Sequence, residues 1–227
     1  MSEQDFSLMR AAMVASQLRP NAVTNANVIK AFETVDREKF VPADRRRVAY
    51  VDVPVALTQT RAMNAPLVTA RLINEAGIKG GERILLIGAA TGYCAALLAI
   101  LSAASLTANN LSGAITAVEE DDMLFAALEA STADLPTVKP VKAPLNLGSG
   151  EQECFDVLII DGAVEQIPDA LKRSLKEGAL VVSGLIDKGV TRLYVGYRIG
   201  NSLPMKPFLD IDVVHLPGFA PPPAFRF

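Results

Sequence analysis

Residues 83–99 read RILLIGAATGYCAALLA, and this stretch decides the fold. Its first part, 83–87, is a short apolar run typical of a strand buried on both faces of a parallel sheet. The run ends at Gly88, and the apolar residues 92–104 then continue with the composition of a buried helix. The stretch therefore predicts a strand, a glycine-containing turn and a helix in succession.

The same alternation continues toward the C-terminus. Strands alternating with helices indicate βαβ units, and hence an α/β, Rossmann-like, mostly parallel doubly wound sheet. Two final strands joined through Gly200-Asn201-Ser202 would add an antiparallel hairpin. Further strands are expected at 114–118, 137–142, 155–160, 179–182, 191–199 and 208–215, and further helices from Asp121 or Asp122 to about Ala130 and at 167–175.

The N-terminal third has a different texture. Helices are expected at 5–19, from an N-cap at Thr24 to about Val35, and from Pro66 to Ala76, with an irregular stretch at 36–64. A length of 227 residues suits one domain, 1–227. Within it, residues 1–80 are expected to form an N-terminal helical cap and substrate loop, and residues 81–227 the Rossmann-like core. The tail 219–227 is expected to be extended and packed on the body.

Composition excludes several classes of function. The chain is 50% hydrophobic and 21% charged, which is typical of a globular protein, and its net charge is −3. That charge leaves no basic excess to neutralise a phosphate backbone, so no nucleic-acid partner is expected. Glycines and asparagines interrupt the uncharged span 84–118, so no membrane span is expected there. The chain has one histidine and two cysteines, so we expect no metal site and no disulfide framework. We also expect a cytoplasmic protein, and the sequence does not determine how many copies of it associate.

The turn Gly88-Ala89-Ala90-Thr91-Gly92 is the first candidate for a binding site. Ligands of such sheets bind at the carboxyl ends of the strands, where the winding direction switches. Glycines let the backbone approach a ligand there, and the following helix offers free N–H groups. A tight strand-to-helix turn explains this segment equally well.

Acidic residues follow two of the later strands. Glu119 and Glu120 end the second strand, where a carboxylate accepts both ribose hydroxyls of a nucleoside cofactor; alternatively, both are solvated residues at a helix start. They lie later than usual after the turn, which an apparent insertion around Leu106–Ser112 explains. Asp161 follows the fourth strand, as a ligand contact or as a hydrogen-bonding partner of its own turn.

Three stretches resemble one family. Residues 13–50, MVASQLRPNAVTNANVIKAFETVDREKFVPADRRRVAY, resemble the N-terminal signature of protein-L-isoaspartate O-methyltransferases. Residues 85–99, LLIGAATGYCAALLA, resemble their first cofactor motif, and FDVLIIDGAVEQIPDAL at 155–171 resembles their fourth-strand region. The resemblance implies a class I methyltransferase that uses S-adenosylmethionine to methylate a carboxylate of isoaspartyl residues in damaged proteins. It also implies cofactor contacts from Gly88, Gly92, Tyr93 and Glu119.

The chain departs from that family at cofactor positions. Leu86 stands where the family usually has a carboxylate, and Ala90 stands where it has the middle glycine. Ala143-Pro144-Leu145 stands where the family has Gly-Asp-Gly, so Pro144 and Leu145 would lie beside the adenine. We therefore expect a cofactor pocket less polar than is usual for the family, and S-adenosylmethionine binding that is weak or absent.

The substrate loop departs as well. The family has Gln-Thr-Ile-Ser-Gln-Pro, with its serine at the substrate carboxylate. An alignment on Pro66 places Asn64 at that catalytic position and lets Arg61 supply positive charge to the carboxylate, with Asp161 on the substrate side. Alternatively, Gln59-Thr60 is the true match, which makes Thr60 a substrate contact.

These departures leave a second hypothesis about function open. The chain could be a non-catalytic or weakly cofactor-binding relative that keeps the fold for binding or assembly, because fold does not imply function. A dehydrogenase is disfavoured, because the turn at 88–92 lacks the full GxGxxG pattern.

Overall fold

A computed structural model of the chain describes residues 3–104 and 113–221. The insertion expected around Leu106–Ser112 and the end of the tail, 222–227, lie outside the described residues. Phe219, at the start of that tail, is buried, as expected for a segment packed on the body.

A seven-stranded sheet organises the core, and a separate two-stranded hairpin precedes it in the chain. The hairpin consists of β1 (Val55–Ala56) and β2 (Ala62–Met63), and the sheet of β3 (Arg83–Ile87), β4 (Ala114–Glu119), β5 (Val138–Lys142), β6 (Phe155–Val164), β7 (Leu175–Asp187), β8 (Val190–Tyr197) and β9 (Met205–Asp210). The strand order in the sheet is β5-β4-β3-β6-β7-β8-β9. The first five strands in this order are parallel, whereas β8 and β9 are antiparallel to their neighbours. The winding direction switches between β3 and β6, which confirms the predicted doubly wound Rossmann-like fold.

The predicted helices are present, with shifted ends. The first ends in a π-helical turn at 14–18 and a 3-10 turn at 19–21 instead of continuing as a regular α-helix to residue 19. Asn25 rather than Thr24 caps the second, because its side chain accepts hydrogen bonds from the amides of Asn27 and Val28. The helices are α1 (Glu3–Met13), α2 (Ala26–Thr34), α3 (Pro66–Ala76), α4 (Tyr93–Ala104), α5 (Asp122–Thr132) and α6 (Asp169–Ser174).

Strand β3 shows why the apolar run forms the centre of the sheet. Ile84 and Leu86 face one hydrophobic cluster, whereas Leu85 and Ile87 face the other, as alternation along a strand requires. All four are fully buried, and each such side chain contributes about 1.5–3 kcal/mol relative to exposure in water. The strand therefore holds the turn at Gly88 on a rigid support.

The prediction of a strand at 208–215 is wrong in its position along the chain. Strand β9 occupies Met205–Asp210, and the chain then leaves the sheet edge to return to β6. There the amide of Ala163 donates to the carbonyl of Val214 (2.7 Å), and the amide of Leu216 donates to the carbonyl of Ala163 (2.9 Å). A tertiary partner thus overrides the alternating pattern of 208–215.

Leu216 lies against glycine backbone at the carboxyl end of the sheet. A Cβ placed on Gly162 would lie 2.4 Å from Cγ of Leu216, and one on Gly88 would lie 2.8 Å from its Cδ1. These glycines therefore make room for the returning segment.

The stretch 36–64, expected to be irregular, contains two 3-10 turns, at 37–40 and 43–48, and the β1–β2 hairpin. Within residues 3–104 and 113–221, no helix has both the length and the apolar character needed to span a bilayer.

Candidate functional site

The turn after β3 lies at the carboxyl end of the sheet, as predicted. The amides of Gly88 and Ala89 donate to the carbonyl of Val118 at 3.2 and 3.1 Å, which ties the turn to β4. Ala90 has a φ of +48°, a left-handed conformation that an L-residue adopts at a cost of about 1–2 kcal/mol. The alanine thus keeps the backbone shape that a glycine would adopt easily.

The far side of this turn is fastened by side chains. The hydroxyl of Thr91 donates to the carbonyl of Phe40 (2.7 Å), and the hydroxyl of Ser131 donates to the carbonyl of Thr91 (2.8 Å). Gly92 has a φ of +98°, and a Cβ there would lie 2.3 Å from Oγ of Ser131. This glycine is therefore required by both backbone and packing.

Glu119, at the end of β4, is fully buried and accepts hydrogen bonds from five donor groups. Two come from the guanidinium of Arg61, at 2.5 Å to Oε1 and 2.9 Å to Oε2. The amide of Ala90 donates to Oε2 (2.9 Å), and the amides of Glu120 and Asp121 donate to Oε1 at 2.9 and 3.1 Å. The carboxylate expected to accept ribose hydroxyls is thus held in a bidentate ion pair.

Arg61 comes from the hairpin that contains the predicted substrate loop. Its carbonyl accepts the amides of Leu57 and Thr58 at 2.9 and 3.1 Å, which fixes its backbone at the turn. Its side chain is only 3% exposed, and its buried Nε has no hydrogen-bond partner among the residues that the structure describes. The cavity bounded by Asn64, Gly88, Ala90 and neighbouring residues has a volume of only about 10 Å³.

Asn64 and Asp161 lie together on the other side of this small cavity. The side-chain nitrogen of Asn64 donates to Oδ1 of Asp161 (2.9 Å) and to its carbonyl (3.0 Å), while its oxygen accepts the amide of Val214 (3.0 Å). The hydroxyl of Thr69 also donates to Oδ1 of Asp161 (3.1 Å). Burial raises the pKa of Asp161, and the hydrogen bonds from Asn64 and Thr69 oppose this shift.

Arg37 supports this cluster from beneath. It is fully buried, and it donates to the carbonyl of Ala49 through Nε (2.6 Å) and to the carbonyl of Asn64 through Nη2 (2.5 Å). Its guanidinium lies 4.7 Å from the ring centroid of Tyr93. Burial raises the pKa of the Tyr93 hydroxyl to about 12. Burial also lowers the pKa of Arg37 itself. The N-terminal segment 13–50 thus contacts the site through the buried guanidinium of Arg37.

The other predicted site residues differ in exposure and in contacts. Thr60 is exposed at the hairpin turn, where its amide donates to the hydroxyl of Thr58 (3.3 Å). Glu120 accepts the amide of Leu145 (3.2 Å), so β4 and the segment after β5 meet where the adenine is expected, beside Pro144. Leu86 is fully buried in β3. The roles assigned to all these residues stay predictions.

Sequence reasoning missed Arg37, Thr69 and Val214 as supports of the site. Each lies far along the chain from the residue that it contacts, so no local motif indicates the contact. Cys94 is buried as predicted, and burial raises the pKa of its thiol.

The fold and this arrangement of turn and acidic strand end define a class of α/β proteins that includes the methyltransferases. A family profile described as "Protein-L-isoaspartate(D-aspartate) O-methyltransferase (PCMT)" matches residues 9–203. The chain belongs to this family.

Individual relatives agree. The chain is 30% identical over 215 residues to the protein-L-isoaspartate O-methyltransferase of Koribacter versatilis, covering 94% of this chain and 92% of that one. It is 31% identical over 202 residues to "Protein-L-isoaspartate O-methyltransferase 2" of Marinobacter nauticus, covering 88% of each.

Solved structures show the same fold. One described as a protein-L-isoaspartate O-methyltransferase superposes with a TM-score of 0.76 at 21% identity, covering 92% of this chain and 66% of that one. A structure from Plasmodium falciparum, described as a putative enzyme of this kind in complex with S-adenosyl-L-homocysteine, has a TM-score of 0.72 at 17% identity and covers 93% and 97%.

Proposed function

We propose that this chain is a protein-L-isoaspartate O-methyltransferase, which transfers a methyl group from S-adenosylmethionine to a carboxylate of isoaspartyl residues in damaged proteins. The observation that carries this proposal is the family match over residues 9–203, which spans both the N-terminal signature and the cofactor turn. The substrate is then a protein or peptide that contains isoaspartate.

The donor set of the site fits the cofactor. Glu119 is a carboxylate at the end of β4, next to the glycine-bounded turn, and Ala90 presents its amide to the same place. A carboxylate at this position is suited to the two hydroxyls of a ribose. The available space does not fit the ribose of the cofactor, because the side chain of Arg61 occupies the approach to Glu119.

The chemistry required of the protein is modest. S-adenosylmethionine, when bound, supplies a methyl group that its sulfonium already activates. The residues of the chain then have to orient a carboxylate and exclude water. Arg61 is proposed to supply the positive charge that the substrate carboxylate requires. Asn64, whose side-chain nitrogen already donates its hydrogen bonds to Asp161, is proposed to hold the substrate loop beside that carboxylate. Asp161 orients the amide of Asn64.

The test is methyl transfer from labelled S-adenosylmethionine to a peptide containing L-isoaspartate, with the same peptide containing ordinary aspartate as the control substrate. We expect transfer to the isoaspartyl peptide alone. Glu119→Gln should abolish it, whereas Glu129→Gln, at an exposed position on α5, should not. Equal transfer to both peptides, or none to either, would overturn the proposal.

We also propose a cytoplasmic location, supported by the two free cysteines, Cys94 and Cys154, which suit a reducing compartment. Cell fractionation with an antibody to the chain tests this location.

A further inference from the structure

The buried pair between Arg61 and Glu119 is not explained by methyl transfer alone. Fifty-eight positions separate the two residues, and each is almost completely withdrawn from solvent. Taking two charges out of water is costly, and only excellent geometry with satisfied hydrogen bonds offsets the cost. Glu119 meets that condition with five donors, but Arg61 does not, because its Nε is buried without a partner in the described part of the chain. The weakly satisfied member of the pair is therefore the arginine.

The position of this pair is also the position of the expected ligand. Both oxygens of Glu119 bind the guanidinium, and the amide of Ala90 approaches Oε2 from the turn. The cavity lined by Ala62, which follows Arg61 in the chain, and by Ala90 has a volume of about 10 Å³ and holds at most a single water molecule. A nucleoside that used Glu119 would have to displace the guanidinium of Arg61.

The hairpin allows such a displacement. The backbone of Arg61 is held by the amides of Leu57 and Thr58, so its side chain can turn away while the hairpin stays formed. Among residues 3–104 and 113–221, Glu119 is the only hydrogen-bond partner of the guanidinium. Once released, the guanidinium is a strong binding group for another carboxylate.

We propose that Arg61 exchanges one carboxylate for another: it closes the site by binding Glu119, the ribose hydroxyls of the cofactor displace it, and it then binds the carboxylate of the substrate. This inference rests on the proposed function and deepens it, because it makes Arg61 the residue that couples cofactor binding to substrate recognition. Cofactor and substrate then bind in order, and by linkage each strengthens the binding of the other.

The pairing of Arg61 with Glu119 raises the apparent Kd of the cofactor by a factor that follows from the fraction of molecules in which Arg61 is released. The apparent Kd of a ligand rises in inverse proportion to the fraction of molecules in the competent state. If the released form makes up about 1–10% of the molecules, the apparent Kd is about 10–100-fold higher than that of the open site. Removing the guanidinium should remove this penalty.

The experiment is calorimetric titration of the full chain with S-adenosylhomocysteine, followed by titration of an isoaspartyl peptide with and without that ligand. Arg61→Gln should bind S-adenosylhomocysteine at least about tenfold more tightly than wild type. The peptide should bind wild type detectably only with S-adenosylhomocysteine present, and should bind Arg61→Gln several-fold more weakly. Opposite changes at the two steps are not expected of a residue with a merely structural role.

Two further variants complete the series. Arg61→Lys keeps the charge but lacks the bidentate fork, so we expect intermediate tightening. It also serves if Arg61→Gln, which leaves Glu119 without its cation, fails to fold. Arg46→Ala removes an exposed arginine and should match wild type at both steps. In wild type, the Nε–H resonance of Arg61, assigned by its loss in Arg61→Lys, should shift when S-adenosylhomocysteine is added.

The outcomes separate this inference from the proposed function. Wild type that methylates the isoaspartyl peptide, together with folded Arg61 variants that bind S-adenosylhomocysteine no more tightly, would overturn the exchange and leave the function intact. A lack of both S-adenosylhomocysteine binding and methyl transfer in every folded variant would overturn both.

Discussion

The side-chain nitrogen of Asn64 lies 2.9 Å from Oδ1 of Asp161, although 97 positions separate these residues along the chain. With its oxygen, the same amide accepts the backbone N–H of Val214, so Asn64 joins three separate parts of the fold. A position predicted for substrate contact is thus also a structural junction.

Replacement of this junction should weaken the fold. Asn64→Ala leaves the carboxylate of Asp161 and the amide of Val214 short of a partner, and each buried unsatisfied group costs about 1–3 kcal/mol. We expect the free energy of unfolding, measured in urea, to fall by about 2–4 kcal/mol. Asn27→Ala, at an exposed position, should change it by less than about 0.5 kcal/mol. Equal stability of the two variants would contradict the junction.

Asp161 makes stability depend on pH. Burial raises its pKa in the folded state above the ordinary value of 3.8, so the folded protein binds this proton more tightly than the unfolded chain. The contribution of Asp161 to stability is therefore fully present below the unfolded pKa and is lost as the pH rises through the folded pKa.

The measurement is urea unfolding of wild type and Asp161→Asn at a series of pH values. The stability of wild type relative to the variant should fall as the pH rises from about 3.8, and should level off above the folded pKa. Asp134→Asn, at an exposed position, is the matched control for removing one carboxylate. A relative stability that rises over the same range would show that the direction is wrong.

Gly92 should tolerate no side chain. In Gly92→Ala, the new Cβ would meet Oγ of Ser131 at 2.3 Å, in a backbone with a φ of +98°. We expect a loss of about 3 kcal/mol or more, from left-handed strain together with overpacking. Gly178→Ala provides the control, because its φ of +75° imposes strain while no atom of the described residues lies within 4 Å of the new Cβ. That control should lose only about 1–2 kcal/mol, and Ser131→Gly should recover part of the loss in Gly92→Ala.

Ala90→Gly should tighten the binding of S-adenosylhomocysteine severalfold, because it removes a methyl group beside the amide that approaches Glu119. Relief of left-handed strain and the added backbone entropy of glycine offset each other to within about 1 kcal/mol, so stability should change little. Ala22→Gly, at an exposed residue with a φ of +60°, gives the same backbone relief far along the chain from the turn. Calorimetry that finds unchanged affinity in Ala90→Gly, or equal tightening in both, would contradict the prediction.

The sheet was predictable because its central strands are apolar on both faces. The hydrophobic residues of 84–87 and 155–160 are buried, and apolar character on both faces is enough to predict both segments as strands of a parallel sheet. Their pairing as neighbours is shown by the structure. The segment 208–215 misled because its alternating pattern suits a strand, whereas Val214 binds β6 and Asn64 instead. Local periodicity does not reveal such a distant partner.

The sequence predicts a role for single residues of the candidate site, and these roles stay predictions, but it does not predict how the residues pair. Charge and position assign Arg61 to a substrate carboxylate and Glu119 to ribose. The structure shows that the two bind each other. Both assignments follow from charge and position, but the pairing depends on the turn of the β1–β2 hairpin, which leaves no periodic signal in the sequence.

The late position of Leu216 in the chain determines when during synthesis its packing contacts can form. It packs against Gly88 and Gly162, and the segment just before it supplies the amide of Val214 to Asn64. On the ribosome, the strands and the turn emerge long before this segment does, and folding proceeds from the N-terminal side. A nascent chain therefore carries the turn at Gly88 without the side chain that packs against it, and this contact forms only after residue 216 has left the exit tunnel.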